Sequence, residues 1–495
     1  MPCVRGQPGG AHGRAQRRDV LDVHHLLRGG HPGQLGARDR FHARLPRAAA
    51  EVLGADRRRQ PRLRRPGVRV SAGDAALFRR YRLQLFVATW LSYFGFYVVR
   101  KVYAIVKLPL KEHFGFDDLQ VAWPWTVYLI TYMLGQFVAA GPGRRFESRR
   151  ILTVGMCVAA AANFVIGFLV DADAARAFLW MCVTMGIFGF AQATGWPHNV
   201  ALFANWTRKS ERGTLFAVWG TCYQFGAVFG KGLAGFLLGW LGLAWSFYGS
   251  SLVLLAFTLY FVLNARERPE SAGLTLHDES EPEPGAAKAR GGAAHPGALP
   301  RAFLLSVVAM GLIYFGFKFL RYALDSWSAL ILGEHFGMSA AFAAYFSTAF
   351  DWVGFLGVLV AGYWSDRLPG SRRAPVIFWM TCGCLLAVTA MWMIGLTSPV
   401  LFVVLLGLIG FMAMGPDSLL AGPSAMEAGS RRQAAVAAGV INGLGSIGPI
   451  VQEPVIGWLK QTQGLDSVFL LLVVIVFLTT VSTGLLARAD RRRGR

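Results

Sequence analysis

Runs of about twenty apolar residues, the length that one bilayer crossing needs, recur along the whole chain and restrict its fold more than any other feature. They fall at roughly 82–107, 119–140, 151–170, 177–203, 214–240 and 243–264, then at 302–329, 340–363, 374–394, 398–421, 433–458 and 465–487. A soluble domain has no use for so many. The chain is 54% hydrophobic with a mean hydropathy of +0.42. Its 58 glycines agree, since glycine is commoner in membrane helices than in soluble ones. The expected fold is an all-α membrane protein of twelve transmembrane helices.

Between the sixth and seventh runs, Asp278 to Pro284 alternates acids with proline, and Gly, Ala and Lys follow. That is the composition of an exposed linker, and it divides the spans six to six. The expected organisation is a disordered Arg-rich tail over 1–75, a six-helix bundle over 76–264, a cytoplasmic linker over 265–300, a second bundle over 301–488 and a basic tail over 489–495. Residues 1–70 hold sixteen arginines, no lysine, five histidines and five acids, with no apolar periodicity. A nucleic-acid-binding arm is one reading of such a stretch. An over-extended start, with GC-rich upstream sequence read in the wrong frame, accounts better for arginine without lysine. It predicts a mature start near Val68 or Val70 and no nucleic-acid partner.

Short loops fix the orientation. Arg144, Arg145, Arg149 and Arg150 follow the second span, Arg208, Lys209 and Arg212 the fourth, and Arg266 and Arg268 the sixth. Arg367, Arg372 and Arg373 follow the eighth, Arg431 and Arg432 the tenth, and the tail holds Arg488 and Arg491 to Arg493. With twelve spans these all lie on one side, which predicts cytoplasmic termini and a multi-pass protein of a bacterial inner membrane. Lys107 and Lys111 are exceptions on the other side.

The chain also resembles itself. Tyr93 to Phe96, followed by Arg100, recurs as Tyr314 to Phe317, followed by Arg321, at an offset of 221 residues. Glu112 to Gly115 recurs as Glu334 to Gly337, and Gly141 with its arginine-rich loop as Gly362, Asp366 and Arg367. Three matches in one order predict two pseudo-symmetric six-helix bundles, the architecture of alternating-access carriers with substrate at the midplane.

Arg100 and Arg321 stand inside spans, where a charge costs roughly 2.5–3.5 kcal/mol on an insertion scale. Arginine offers a planar donor fork suited to phosphate or carboxylate, so two at symmetry-related positions suggest a clamp for a multiply charged anion. Tyr93, Tyr97 and Arg100 share one helical face, and Tyr314, Lys318 and Arg321 repeat that spacing. Lys101 is turned about 100° away from Arg100, and Tyr223 could add a hydroxyl. Simpler roles compete. Asp325, four residues after Arg321, could merely pair with it, and Asp351 could do the same. Lys231 and Glu453 could be a coupling pair, a substrate contact or charges near a membrane face. His198 could carry a proton or simply sit satisfied in its helix.

Five of the six cysteines (Cys157, Cys182, Cys222, Cys382, Cys384) fall in apolar runs and read as small buried hydrophobes. Cys382 and Cys384 are too close for a zinc pair. No metal and no cofactor is expected, and no phosphate-cradling glycine loop or nucleophile constellation suggests an enzyme.

Over roughly residues 80–490 the chain resembles the organophosphate:phosphate antiporters, a branch of the major facilitator superfamily. The resemblance rests on Tyr97 to Lys101, Gly195 to Pro197, Ser210 to Gly213 with Trp219, Arg266 to Pro269 with Gly273 and Leu274, and Leu320 to Tyr322. The loop motif Gly362, Asp366, Arg367 belongs to the whole superfamily. The resemblance implies exchange of a sugar phosphate or glycerol phosphate for inorganic phosphate, with Arg100 and Arg321 on the phosphate. It equally fits a membrane sensor of external sugar phosphate that signals to a kinase, and a proton-coupled organic anion symporter remains a third reading. The chain departs from the pattern at Tyr223, where glycerol-3-phosphate transporters have histidine, and at Gln136, where the family commonly has lysine. A further departure is Arg144, which replaces the aspartate of the first-half loop motif. A monomer in the lipid bilayer is expected.

Overall fold

The computed structural model describes residues 72–140, 146–207, 212–274, 301–367, 373–421 and 431–493. The residues 1–71, the linker over 275–300, and the loop arginines Arg144, Arg145, Arg208 and Arg372 with Lys209 lie outside the described residues. Every regular element described is a helix. Span 1 is α1 (Ala72–Phe114), span 2 α2 (Asp118–Ala140) and span 3 α3 (Ser148–Phe168). Span 4 breaks into α4 (Ala174–Gln192) and α5 (Gly195–Trp206), and span 5 into α6 (Arg212–Trp219) and α7 (Thr221–Leu241). Span 6 is α8 (Leu243–Asn264) and span 7 is α9 (Arg301–Phe336). Span 8 breaks into α10 (Ala340–Ser347) and α11 (Ala349–Arg367). Spans 9 to 12 are α12 (Ala374–Ile394), α13 (Pro399–Ala421), α14 (Arg431–Gln463) and α15 (Leu465–Arg493).

Among the described residues, eight spans are long and apolar enough to cross a membrane by length and composition alone. The other four include spans 1, 5 and 11, which carry Arg100, Lys101, Lys107, Lys231 and Glu453. Large apolar side chains such as Phe137, Trp240, Leu263, Leu386 and Val400 point outward, exposed. That is the arrangement lipid requires and water forbids.

The repeat read from the sequence has a structural purpose at each match. Gly115 and Gly337 end spans 1 and 7 with φ of +69° and +67°, the left-handed region where a side chain is strained. The histidine before each is fixed the same way. His113 Nε2 lies 2.8 Å from the Val170 carbonyl oxygen, in the 3-10 turn Leu169–Asp171 after span 3. His335 Nε2 lies 3.0 Å from that of Leu396, in the turn Gly395–Thr397 after span 9. Each ring also packs edge-on against the following phenylalanine, Phe114 or Phe336.

Glycines let the spans of each half approach closely. A Cβ on Gly226 would stand 2.7 Å from the Phe94 carbonyl oxygen, and one on Gly230 2.8 Å from Val98 Cα. In the second half a Cβ on Gly448 would stand 2.7 Å from the Phe315 carbonyl oxygen. Span 5 therefore seats on span 1 as span 11 seats on span 7. The halves meet by the same device. Gly235 faces Ala344 on one flank (spans 5 and 8), and Gly457 faces Ala122 on the other (spans 11 and 2). Each residue of the second contact is related to one of the first by 222 positions, so the pseudo-twofold extends to contacts the sequence did not reveal.

The segment after span 6 is a clasp. The Glu267 carboxylate accepts from the Ser148 and Arg149 amides at 3.1 and 2.8 Å, capping the start of α3. Asn205 Nδ2 and Trp206 Nε1 donate to the Glu267 and Arg266 carbonyls. The motif at Arg266 to Pro269 thus ties the ends of spans 3, 4 and 6 together.

Candidate functional site

Arg100 and Arg321 both face the middle of the protein. Tyr97 and Tyr322 each lie within electrostatic reach of both guanidinium groups. The two arginines are satisfied differently. Arg100 is 6% exposed and makes no ion pair among the described residues. Its Nε donates to Gln192 Oε1 at 2.8 Å, an oxygen that Tyr128 Oη also donates to at 3.0 Å. Gln192 is held in turn by donating its Nε2 to the Phe96 carbonyl. The guanidinium lies 4.5 Å over the Tyr97 ring and 4.9 Å over that of Tyr132, contacts worth about 2 kcal/mol when desolvated. Its Nη2 is buried and has no hydrogen-bond partner among the described residues. The positive charge is cushioned by π faces and a neutral amide, and no carboxylate among the described residues pairs with it.

Arg321 Nη1 donates to Asp417 Oδ2 of span 10 at 2.8 Å. This differs from the intrahelical pair with Asp325 that the spacing allows. Asp325 turns instead toward the first half, where it is bonded to Lys101 and lies 2.9 Å from Lys231 Nζ. Lys231 Nζ also donates to Asp351 Oδ2 at 2.7 Å. Four charges from spans 1, 5, 7 and 8 thus balance one another. Lys101 is engaged there, and its Nζ also lies 5.9 Å over the Tyr97 ring that Arg100 covers.

The possible pairing of Lys231 with Glu453 is not made either. Glu453, fully buried, is bonded to Lys107, which is also fully buried. Glu453 Oε1 also accepts from Ser326 Oγ at 3.0 Å, and Oε2 accepts from Trp327 Nε1 at 3.2 Å and Gln452 Nε2 at 2.7 Å. A third cluster closes this end of the protein. Lys111 Nζ lies 2.5 Å from Asp118 and 2.6 Å from Glu334, and Lys460 Nζ 2.9 Å and 2.5 Å from the same two carboxylates. Lys111 lies in the last turn of α1, past the apolar run that crosses the bilayer. Burial works against its charge, but the bonds and charges of Asp118 and Glu334 prevail and hold its pKa above the ordinary lysine value. All three clusters join the halves, running along span 1 from Lys101 through Lys107 to Lys111 near its C-terminal end, on the side away from the N-terminal end of α1 and the C-terminal end of α15.

The remaining expected residues flank the arginines. Tyr93 is buried against Trp196 and Trp219, with ring centroids 5.5 and 5.7 Å away, and meets Tyr97 at 5.5 Å. The Tyr223 ring is 5.9 Å from Tyr97. Lys318 Nζ lies 4.6 Å over the Tyr314 ring and 3.4 Å from Ser446 Oγ. His198 Nδ1 lies 3.3 Å from Ser148 Oγ. In the loop motif, the Arg367 guanidinium lies 4.3 Å over the Tyr363 ring, and Ser365 Oγ donates to the Gly362 carbonyl. The side chain of Asp366 lies outside the described residues. A groove of about 730 Å³ between α3 and α4, lined by Val154, Gly155, Val158, Gly186 and Ile187, is remote from this chemistry. None of its lining residues comes from spans 1, 5, 7, 8, 10 or 11.

Sequence reasoning passed over Asp417, Gln192, Tyr128, Tyr132, Asp118, Glu334 and Lys460. Asp417 and Gln192 are polar residues in otherwise apolar runs, and a search for intramembrane polar groups finds both.

Two helical bundles facing one another across rows of buried charge, with two arginines between them, define a membrane carrier of the alternating-access class. The chain belongs to the Major Facilitator Superfamily, whose sequence pattern matches residues 85–452. It is 25% identical over 416 residues to a probable hexose phosphate transport protein of Chlamydia pneumoniae, covering 80% of this chain and 89% of that one. It is 27% identical to sugar phosphate exchanger 3 of Xenopus laevis, covering 83% and 93%. It is 26% identical to the glycerol-3-phosphate transporter of Bacillus subtilis (strain 168), covering 83% and 94%. Among solved structures, a bacterial homolog of the human lysosomal transporter Spinster superposes with a TM-score of 0.63 at 17% identity, covering 82% of this chain and 97% of that one. A D-xylose-proton symporter does so with 0.64 at 12%, covering 81% and 97%. At these identities the structural likeness speaks for the fold.

Proposed function

We propose that this protein is a secondary active transporter that exchanges a phosphorylated metabolite, a sugar phosphate or glycerol phosphate, for inorganic phosphate by alternating access. The observation that carries the reading is Arg100, a permanent charge buried, among the described residues, without a counter-ion or a partner for its Nη2. An empty site in that condition resists closing away from water. A bound phosphate removes the obstacle, so the halves reorient loaded and exchange follows without ATP. The three relatives above are named as transporters or exchangers of such phosphates, which supports the substrate class. The lysine bonds of Asp325, Asp351 and Glu453 weaken the case for a proton-coupled symporter, because none stands free to carry a proton. The loop arginines favour cytoplasmic termini in a bacterial inner membrane. The charge clusters then close the outer side, and the site faces the cytoplasm.

The test is exchange of labelled inorganic phosphate in proteoliposomes preloaded with phosphate. Wild type exchanges, and Arg100→Lys, which keeps the charge but loses the fork, does not. A folded wild type that fails to exchange would refute the reading.

A further inference from the structure

We infer that Asp417 is a resident counter-anion, holding at Arg321 the place that a substrate's phosphate takes, and that it thereby sets both the affinity and the charge of the anion carried. The inference rests on the exchange reading above.

The protein supplies its own comparison. In the Lys107 and Glu453 pair, both side chains are fully buried and both carboxylate oxygens are bonded, with four donors in all. That is a satisfied structural pair. Asp417 binds Arg321 through one oxygen alone, and its Oδ1 is buried with no hydrogen-bond partner among the described residues. The Arg321 side chain is 21% exposed and that of Asp417 10%. Half the accepting capacity of this carboxylate is idle, beside a guanidinium that solvent reaches. The fold does not demand a carboxylate here either, since the pseudo-symmetric Arg100 is buried more deeply with only an amide and aromatic rings around it.

The backbone allows the side chain to move. Asp417 follows Pro416 inside α13, and proline removes one helical hydrogen bond there. A second cation waits nearby. Lys318 is one turn before Arg321 and within electrostatic reach of Asp417, and among the described residues its Nζ meets no carboxylate, only the Tyr314 ring at 4.6 Å and Ser446 Oγ by a long contact of 3.4 Å. Tyr314 and Tyr223 also lie within electrostatic reach of Asp417. When phosphate arrives at Arg100 and Arg321, the Asp417 carboxylate passes from Arg321 to Lys318. Three cations and one carboxylate leave the empty site two positive charges, and a phosphate or phosphomonoester dianion cancels them. A phosphodiester or monocarboxylate leaves one charge uncancelled and is a poor substrate.

The experiment measures phosphate exchange and equilibrium phosphate binding for wild type, Asp417→Asn, Asp417→Glu and Lys318→Met. Freeing Arg321 in Asp417→Asn tightens binding and lowers the exchange KM, by roughly tenfold to a hundredfold, the worth of one charged hydrogen bond. Maximal exchange falls, because the loaded site is no longer neutral. Asp417→Glu restores near wild-type values. Lys318→Met, which leaves Asp417 nowhere to go, moves KM the opposite way and decides the question if Asp417→Asn does not fold. An unchanged or weakened phosphate affinity in folded Asp417→Asn, or an unchanged or lowered KM in Lys318→Met, overturns the inference and leaves exchange standing. A wild type that neither binds nor exchanges phosphate overturns both.

Discussion

Lys107 and Glu453 join span 1 to span 11 only while the halves meet on the side away from the termini. Substituting Lys107→Met takes the cation from Glu453, with Ser326, Trp327 and Gln452 still donating to it and no other ion pair to it among the described residues. Stranding one partner of a fully buried pair costs about 3–5 kcal/mol. Opening that side hydrates Glu453 and relieves the cost, so the equilibrium shifts toward the open form by roughly two to three and a half powers of ten, at about 1.4 kcal/mol each. Spin labels at the exposed positions Glu112 and Gln463, in a background without the native cysteines, report the separation of the halves. Lys107→Met should convert a short-distance population into a mainly long one. The double substitution Lys107→Met with Glu453→Gln leaves no stranded charge and should recover most of the short one. A distribution unchanged in the single variant, or equally open in the double, would refute the reasoning.

Further outcomes follow from the packing. Gly230→Ala puts a Cβ 2.8 Å from Val98 Cα and should destabilise by about 1–3 kcal/mol, lowering the melting temperature, while Gly232→Ala, with nothing within 4 Å, should melt like wild type. Glu267→Gln weakens the cap on α3 and should cost about 1 kcal/mol, read as a lower melting temperature with phosphate affinity unchanged. His113→Ala and His335→Ala should each raise hydrogen exchange at the end of their own span, 1 or 7, and leave the other span unaffected; exchange raised equally in both would exclude separate latches.

The architecture was legible because it is written in long-range patterns. Twelve apolar runs and a repeat near 221 residues need no side-chain geometry to be read. The arginines were legible for a related reason, since a charge is conspicuous among apolar neighbours. Their partners were not. Spacing along one helix offers Asp325 to Arg321, yet the structure gives Asp325 to Lys101 and Lys231 and brings Asp417 from span 10. Which helix stands opposite is a tertiary fact. Lys107 shows the same limit. At the edge of its apolar run it reads as a loop residue, but its helix continues to Phe114 and buries it completely. Asp417, four residues from the end of α13, likewise resembles a boundary charge until its contact with Arg321 is seen.

The twin histidines have a consequence for the cell. By holding the tips of spans 1 and 7 to the turns after spans 3 and 9, they keep Lys111 and Glu334 from peeling away one at a time. A gate whose tips frayed would leak ions with every fluctuation and drain the gradients across its membrane. With each tip fastened inside its own half, the gate opens only when a whole half turns, and the membrane stays sealed between one cargo and the next.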